Sequence, residues 1–241
     1  MNIKKSTLSK DVIKIDKNPQ DRKIYLKELL DRDGLTGIKE NPKSAYCALS
    51  LTSTPENLKN SIKTKQRFLM ELLARAGITA YDPGSSPTSP DLALKMGPEE
   101  IYRIDKSKVV SSRYFVSLDL LPSTGTGVEA ETARVYNRIS VMLHDRKIRT
   151  SRMQPNRTIH LAFDDLVKEA EDFIDVFRFL QEFEPGIGFT NKIPSLLGFR
   201  KDSSVVDLEK EVYKNFPHLV YVYDGNVSNV KLTCENIELF S

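Results

Sequence analysis

The sequence lacks the signatures of several function classes. Its 241 residues include only two cysteines, Cys47 and Cys234, which form no CxxC pair, so zinc and redox motifs of that type are excluded. Cys47 lies in an apolar run, which is typical of a small buried residue. The 36 Lys and Arg residues against 33 Asp and Glu leave a net charge of only +3. This balance indicates no general attraction to nucleic acid or to a membrane surface.

Long apolar runs are also missing. No stretch approaches the length of a membrane span, and the N-terminal stretch MNIKKSTLSK has no apolar signal-peptide core. We therefore expect a cytoplasmic protein. The three histidines, His144, His160 and His218, show no pattern of partners, so we expect them on the surface or satisfied in the core.

Short apolar segments alternate with amphipathic ones along the middle of the chain. The strand-like segments are SAYCALSLTST (44–54), ITAYDPG (78–84), SRYFVSLDL (112–120), ISVML (139–143) and TIHLAF (158–163). Helical segments lie between them, and DDLVKEAEDFIDVFRFLQEF (164–183) is predicted as a long helix after the last strand. This alternation predicts an α/β fold: a flavodoxin-like, doubly wound parallel sheet of about five strands, with helices on both faces.

Such a sheet predicts where a ligand binds. In a flavodoxin-like order, the first and third strands are neighbours where the strand order reverses, and ligands bind beyond their carboxyl ends. Hydroxyl-bearing residues follow both strands: Ser50 and 52–54 after the first, and PSTGTG (122–127) after the third. We therefore expect a ligand beside these two loops.

The PSTGTG loop has two interpretations. Gly125 and Gly127 permit a tight turn and a close approach to a ligand, and Ser123 can cap a helix or bind an anion. The alternative is a plain turn between a strand and a helix. Ala130 replaces the third glycine of a dinucleotide fingerprint, and the lysine of a Walker loop is missing, so neither nucleotide motif is present.

Two carboxylates near this loop are candidate catalytic groups. Glu129 follows the loop in the expected first helical turn, where the helix dipole gives it about 0.3–1 kcal/mol of stabilisation, or it is a nucleophile at the crevice. Asp105 lies four residues after Ile101 and shares its apolar helix face, which suits a proton donor, although a capping or solvated Asp is the alternative. Two carboxyls flanking a glycosidic bond are the parts of a retaining glycosidase.

This segment resembles the 2′-deoxynucleoside 5′-monophosphate N-glycosidases, relatives of the nucleoside 2-deoxyribosyltransferases. In that family an Asp precedes the catalytic Glu by the same separation as Asp105 and Glu129 here. A strand and the motif P-S-x-G-x-G-x-E lie between them, matched by Pro122, Ser123, Gly125, Gly127 and Glu129. The similarity covers about residues 44–180.

The resemblance implies roles for individual residues. Glu129 would attack C1′ of a deoxyribose, and Asp105 would protonate the departing base. Ser123, Gly125 and Ser151 would hold the 5′-phosphate, with Ser151 in the segment TSRM (150–153) serving the neighbouring subunit of a homodimer. Tyr46 and Ser50 fit the family's first strand. No cofactor, no metal and no polymeric nucleic acid is implied; the partner is a small nucleotide or nucleoside.

The chain also departs from the family. Members carry a glycine and then an arginine near the end of the first strand, where this sequence has Leu49 and Thr52. The missing arginine favours an alternative, a deoxyribosyltransferase that exchanges bases on free deoxynucleosides. A third hypothesis is a nucleotide-binding sensor without turnover, against which the Asp105–Glu129 pair argues.

Three regions follow from this comparison. Residues 1–42 are polar and form an N-terminal arm or cap, residues 43–185 form the deoxyribosyltransferase-like catalytic domain, and residues 186–241 form a C-terminal extension packed on it. The loop at 84–97 is rich in Pro and Ser, and loops of this length are often lids or disordered.

Overall fold

The computed structural model describes residues 27–50, 54–89, 96–121, 123–148, 158–182 and 203–221, with only the backbone of 203–207. Its strands are β1 (Asn41–Ala48), β2 (Thr79–Tyr81), β3 (Ser112–Asp119), β4 (Ile139–Asp145) and β5 (Thr158–Phe163). They form one sheet in the order β2-β1-β3-β4-β5, and every neighbouring pair is parallel. The predicted flavodoxin-like sheet of five strands is confirmed, with β1 and β3 adjacent at the point where the order reverses.

Helices cover both faces of the sheet. They are α1 (27–32), α2 (Lys59–Arg75), α3 (Pro98–Ser111), α4 (Thr124–Val135), α5 (Ala170–Glu182) and α6 (Ser203–Asn215). Helices α2 and α5 pack against one face, where Leu72 and Phe177 are fully buried. Helices α3 and α4 pack against the other face through Val109 and Ala133. Because β3 and β4 are covered on both sides, their middle residues (114–116 and 141–143) are apolar without alternation.

Two helix starts differ from the sequence prediction. Helix α4 begins at Thr124, so the two glycines of PSTGTG lie in its first turn rather than in a loop, and neither has a positive φ. Glu129 is therefore in the second turn, and the expected gain from the helix dipole at the first turn does not apply. Helix α5 begins at Ala170 rather than near 164, because the Glu169 carboxylate accepts hydrogen bonds from the N–H groups of Asp164 and Asp165, both at 2.9 Å, and closes a turn there.

The N-terminal segment (27–40) packs on the same side as α3 and α4. Leu29 and Leu35 are buried against Val110 of α3 and against Tyr136, which follows α4. On the opposite side, α6 packs on the core, and Val220 forms an antiparallel bridge with Leu161 of β5. Within the described ranges, no helix has the length and apolar character needed to cross a membrane.

Candidate active site

Glu129 and Asp105 face one another across a groove between α3 and α4. Both line a cavity of about 360 Å³ whose other walls include Ile101 and Val109 of α3 and Val128 of α4. The side chains of Glu129 and Asp105 are each partly buried. Two helices that follow different strands therefore bring one carboxyl each to a single cavity.

Tyr46 of β1 orients the Glu129 carboxylate. Its hydroxyl donates a hydrogen bond to Glu129 Oε1 at 2.6 Å. The Tyr46 ring is fully buried and stacks on Tyr81 of β2, with ring centroids 5.5 Å apart, and on Phe115 of β3 at 6.2 Å. Because the ring is fixed on both sides, its hydroxyl holds one Glu129 oxygen in place and leaves the other toward the groove.

Thr88 orients the Asp105 carboxyl from the other side. The Thr88 hydroxyl donates to Asp105 Oδ1 at 2.7 Å, and it lies 2.7 Å from the hydroxyl of Ser86. Both residues are buried and belong to the segment after β2 that the sequence marked as a lid or a disordered loop. This contact could not be predicted from the sequence, because an irregular stretch rich in Ser and Pro has no periodic pattern that indicates a partner.

Burial raises the pKa values of Glu129, Asp105 and Tyr46. Burial raises the pKa of Glu129 to about 8; the hydrogen bond from Tyr46 opposes this shift, and the charge of Asp105 adds to it. Burial also raises the pKa of Asp105, against the hydrogen bond from Thr88. The pKa of Tyr46 is raised well above its usual value by burial and then by the charges of Glu129 and Asp105. The two carboxyls therefore titrate as a pair that keeps one proton near neutral pH.

A second, larger cavity adjoins the first. It has a volume of about 1060 Å³ and is lined by Ser123, Thr126 and Gly127 at the start of α4, by Asp119 at the end of β3, and by the N-terminal segment (27–40). Ser123 is the N-cap of α4 and accepts a hydrogen bond from the N–H of Thr126 at 3.4 Å. The start of a helix beside a cavity is a suitable place for an anion.

The two glycines of the motif leave room at the cavity walls. A Cβ on Gly127 would meet no heavy atom within 4 Å, and one on Gly125 would meet only Ser123 Oγ, at 3.7 Å. The expected tight turn is therefore not the reason for these glycines, since the backbone at both is ordinary helix. Gly125 lines the smaller cavity and Gly127 the larger one, so a side chain at either would occupy cavity space.

Of the remaining predicted residues, Ser50 is not among the described residues that line the cavity of the carboxyl pair, and Ser151 lies outside the described ranges. Ser50 is buried just after β1, and its carbonyl accepts a hydrogen bond from the Thr54 hydroxyl. Ser151 and Thr52 lie outside the described residues. Leu49, which stands where the family has glycine, is buried.

The structure also connects residues that the sequence treated separately. Asp119 Oδ2 lies 3.3 Å from His144 Nδ1, and His144 Nε2 lies 2.9 Å from His160 Nδ1. The His144 ring stacks on Tyr221 at 4.1 Å. Burial, and then the neighbouring His144, lower the pKa of His160 to about 4, although Asp119 opposes this. The strand register predicts the first contact, because Asp119 and His144 form the last pair of β3 and β4.

Metal ligands are not clustered in the part of the chain that the structure describes: no group of three or more His, Cys, Asp and Glu is placed to hold an ion there. The chain matches no protein-family model and no curated protein sequence.

Proposed function

We propose that this protein cleaves the bond between base and sugar in 2′-deoxynucleoside 5′-monophosphates, with Glu129 as nucleophile and Asp105 as general acid. The observation that carries the proposal is the pairing of these two carboxyls in one cavity, each held by a hydroxyl donor. Two carboxyls on either side of a scissile bond are the working parts of a retaining glycosidase.

In the first step, the Glu129 oxygen not bound by Tyr46 attacks C1′. The new C1′–O bond forms as the C1′–N bond breaks, and the electron pair of the broken bond stays on the base, which takes the proton of Asp105. In the second step, water attacks C1′ and gives its proton to the Asp105 carboxylate. Free Glu129 carboxylate and deoxyribose 5-phosphate are then released.

Burial raises the pKa values of both carboxyls and keeps one proton on the pair near neutral pH, mainly on Glu129. The reactive form is the one in which that proton lies on Asp105 and Glu129 is ionised. Because burial raises the pKa of Glu129 to about 8, the pair loses its last proton near that pH. We therefore expect kcat/KM to fall as the pH rises through about 8, and to fall again in acid as the pair takes up its second proton.

The larger cavity is proposed to hold the 5′-phosphate. Ser123 and the first turn of α4 line it, and N–H groups at a helix start bind anions. Ser151 is proposed to complete the phosphate site of the neighbouring subunit in a homodimer. The exposed Tyr102 and Val128, which line both cavities, support a subunit contact at this groove.

The experiment that tests the function is an incubation with each of the four deoxynucleoside monophosphates and, in parallel, with the free deoxynucleosides. Chromatography measures free base and deoxyribose 5-phosphate, and Glu129→Gln is the control for contaminating activity. Release of base from the monophosphates alone is the expected result. Base exchange on free deoxynucleosides when a second base is added would identify a deoxyribosyltransferase instead, the alternative favoured by Thr52 in place of the family's arginine.

A further inference from the structure

The N-terminal segment (27–40) inserts one carboxylate, Asp33, between the two helices that carry the carboxyl pair. Asp33 Oδ2 lies 2.7 Å from Lys106 Nζ of α3 and accepts a hydrogen bond from Tyr136 Oη at 2.6 Å, just after α4. The side chains of Asp33 and Lys106 are only 12% and 13% exposed. An ion pair this well buried holds its elements together, because separating it leaves an uncompensated charge in the protein.

The chain builds this junction from local features. Just after the end of α1 at residue 32, Gly34 has a positive φ, and the N–H of Leu35 donates to the carbonyl of Leu30 at 2.7 Å. This termination places Asp33 in the turn directly after the helix, where it meets Lys106 of α3. Leu35 then packs against Val110, so apolar contacts fix the direction of the carboxylate.

Lys106 connects Asp33 to the candidate site, because it pairs with Asp33 and also lines the cavity of the carboxyl pair. It follows Asp105 directly and lines both cavities, including the one that holds Asp105 and Glu129. A lysine ammonium that faced this cavity without a counter-charge would favour ionised carboxylates and so lower their pKa values. The pKa values of Asp105 and Glu129 are instead raised by burial.

The other charged and titratable groups near the junction do not take over this role. Arg32 bonds Asp33 Oδ1 at 3.2 Å but is 71% exposed, so solvent and salt screen its charge. Burial raises the pKa of Asp33, yet hydrogen bonds from Lys106, Tyr136 and Arg32 outweigh it and leave the pKa lowered. Lys106 of α3 and Tyr136 face Asp33 from other elements, and Lys106 Nζ also donates to Tyr102 Oη at 3.2 Å. Tyr46 and Tyr81 lie beside the carboxyl pair. Lys108 lies over the Tyr81 ring, 5.2 Å from its centroid, and is exposed, so solvent screens its charge.

We propose that Asp33 is a positioning residue for the carboxyl pair: it neutralises the Lys106 ammonium and holds α3 against the end of α4, so that Asp105 and Glu129 share one cavity without a free cation beside them. The proposal rests on the proposed function for its catalytic meaning. It gives the N-terminal segment a part in the site, beyond the arm or cap that the sequence indicated.

The test removes the charges of Asp33 and Lys106, singly and together, and measures the titration of Glu129 in each variant. Carboxyl-carbon NMR of the full chain measures the titration midpoint of Glu129, and the Glu129→Gln variant identifies its resonance. Asp33→Asn is expected to lower the midpoint from about 8 by about one pH unit, because it leaves the Lys106 ammonium beside the cavity without its counter-charge. Lys106→Gln is expected to raise it, and the double variant to return it to within about 0.3 pH unit of the wild-type value.

Asp31→Asn is the matched control. Asp31 lies in α1, two residues before Asp33, and is exposed, with its carboxylate accepting from the Thr36 hydroxyl at 2.6 Å, so its loss should leave the Glu129 midpoint unchanged. If Asp33→Asn does not fold, Lys106→Gln and the double variant still decide. A midpoint that Lys106→Gln leaves unchanged, or that the double variant does not restore, overturns the proposal.

The readout does not depend on turnover, so this inference and the proposed function fail separately. If the enzyme is active but the Glu129 midpoint is the same in all three variants, only the role of Asp33 is overturned. If the Glu129 midpoint shifts as expected in all three variants but the protein releases no base, only the proposed glycosidase function is overturned. In an active enzyme, the alkaline limb of kcat/KM in Asp33→Asn should move down together with the Glu129 midpoint.

Discussion

At the scale of single residues, the Tyr46 hydroxyl controls how much of Glu129 is ionised. Its hydrogen bond to Glu129 Oε1 opposes the rise in the pKa of that carboxyl. We expect Tyr46→Phe to raise the Glu129 pKa further, to move the alkaline limb of the pH profile upward, and to lower kcat/KM by about 10–100-fold, because a hydrogen bond to a charged group contributes about 1.5–3 kcal/mol.

Tyr81→Phe is the control for that substitution. The Tyr81 ring stacks on Tyr46, but its buried hydroxyl has no hydrogen-bond partner among the described residues. Removing that hydroxyl should leave kcat/KM and the pH profile unchanged. Equal losses in the two variants would show that removing a hydroxyl from either ring disturbs the site, and that the hydrogen bond to Glu129 has no special role.

Glu129 also links stability to pH. Its pKa is raised from 4.5 to about 8, so the fold favours the protonated form. The stability that this provides is complete below about pH 4.5 and is lost as the pH rises through about 8. The Glu129→Gln variant cannot ionise, and its amide oxygen can still accept from Tyr46. We expect its Tm to exceed that of the wild type by more at pH 9 than at pH 6; a constant difference would contradict the raised pKa.

Asp105 can be tested through the leaving group. If it donates the proton to the departing base, Asp105→Asn should slow cleavage of ordinary bases by about 10²–10⁴-fold and slow an activated nitrophenyl leaving group far less. Initial rates on both substrates give the comparison. An equal loss on both would reduce Asp105 to a binding residue.

The residues of the site were predictable to different degrees. Glu129 and Asp105 stand in a motif with fixed spacing, and Tyr46 lies on a strand whose position follows from the alternation of elements. Thr88 and Asp33 come from irregular segments and reach the site through space, so no period in the sequence points to them. The pairing of Asp119 with His144 required the register of two strands.

At the scale of elements, the buried strands were the most predictable part of the fold. An apolar run as short as that in β4 is too short for a typical helix, so it predicts a buried strand. Every residue of β4 is buried, so the strand and the buried segment have the same bounds. Helix starts were less predictable, because they depend on single capping contacts. Ser123 caps α4, so the helix begins before the two glycines and not after them. The Glu169 side chain closes a turn with the N–H of Asp165, so α5 begins later than its helical pattern predicts.

Glu40 connects the N-terminal segment to the starts of β3 and β4. Its two carboxylate oxygens accept from Arg113, at 3.3 Å, and from Arg138, whose side chains are 4% and 9% exposed. We expect Glu40→Gln to lower the free energy of unfolding by about 3 kcal/mol, because two buried guanidinium groups lose a carboxylate partner. Urea denaturation measures the change.

Glu56→Gln is the matched control for Glu40. Glu56 also pairs with a cation, Lys59 at 2.6 Å, but its side chain is 86% exposed. Exposed pairs of this kind contribute about 0–1 kcal/mol, so this variant should denature within about 0.5 kcal/mol of the wild type. A similar loss in both variants would show that burial does not decide the strength of these pairs.

At the scale of the whole molecule, the proposed dimer gives a complementation test. If Ser151 serves the neighbour's site, a dimer of one Glu129→Gln chain and one Ser151→Ala chain has one site with both lesions and one with neither. Random pairing makes about half of the dimers mixed, so about a quarter of all sites should recover full activity after the two variants are dissociated and mixed.

The control mixes each variant with itself under the same conditions. Activity no greater than the sum of the two separate variants would place the whole site in one chain. Sedimentation of the wild type, measured beside it, shows whether a dimer is present at the concentrations used.

The docking of the N-terminal segment also has a consequence for the order of folding. Glu40 meets Arg138 across 98 positions of the chain, and Asp33 meets Tyr136 across 103. Contacts this distant in sequence form slowly, since the intervening chain must be ordered first. On the ribosome, the N-terminal segment emerges before β4 and must therefore wait for it before it can dock. The larger cavity, which Arg32 and Asp33 of that segment line, is complete only after the sheet behind it has formed.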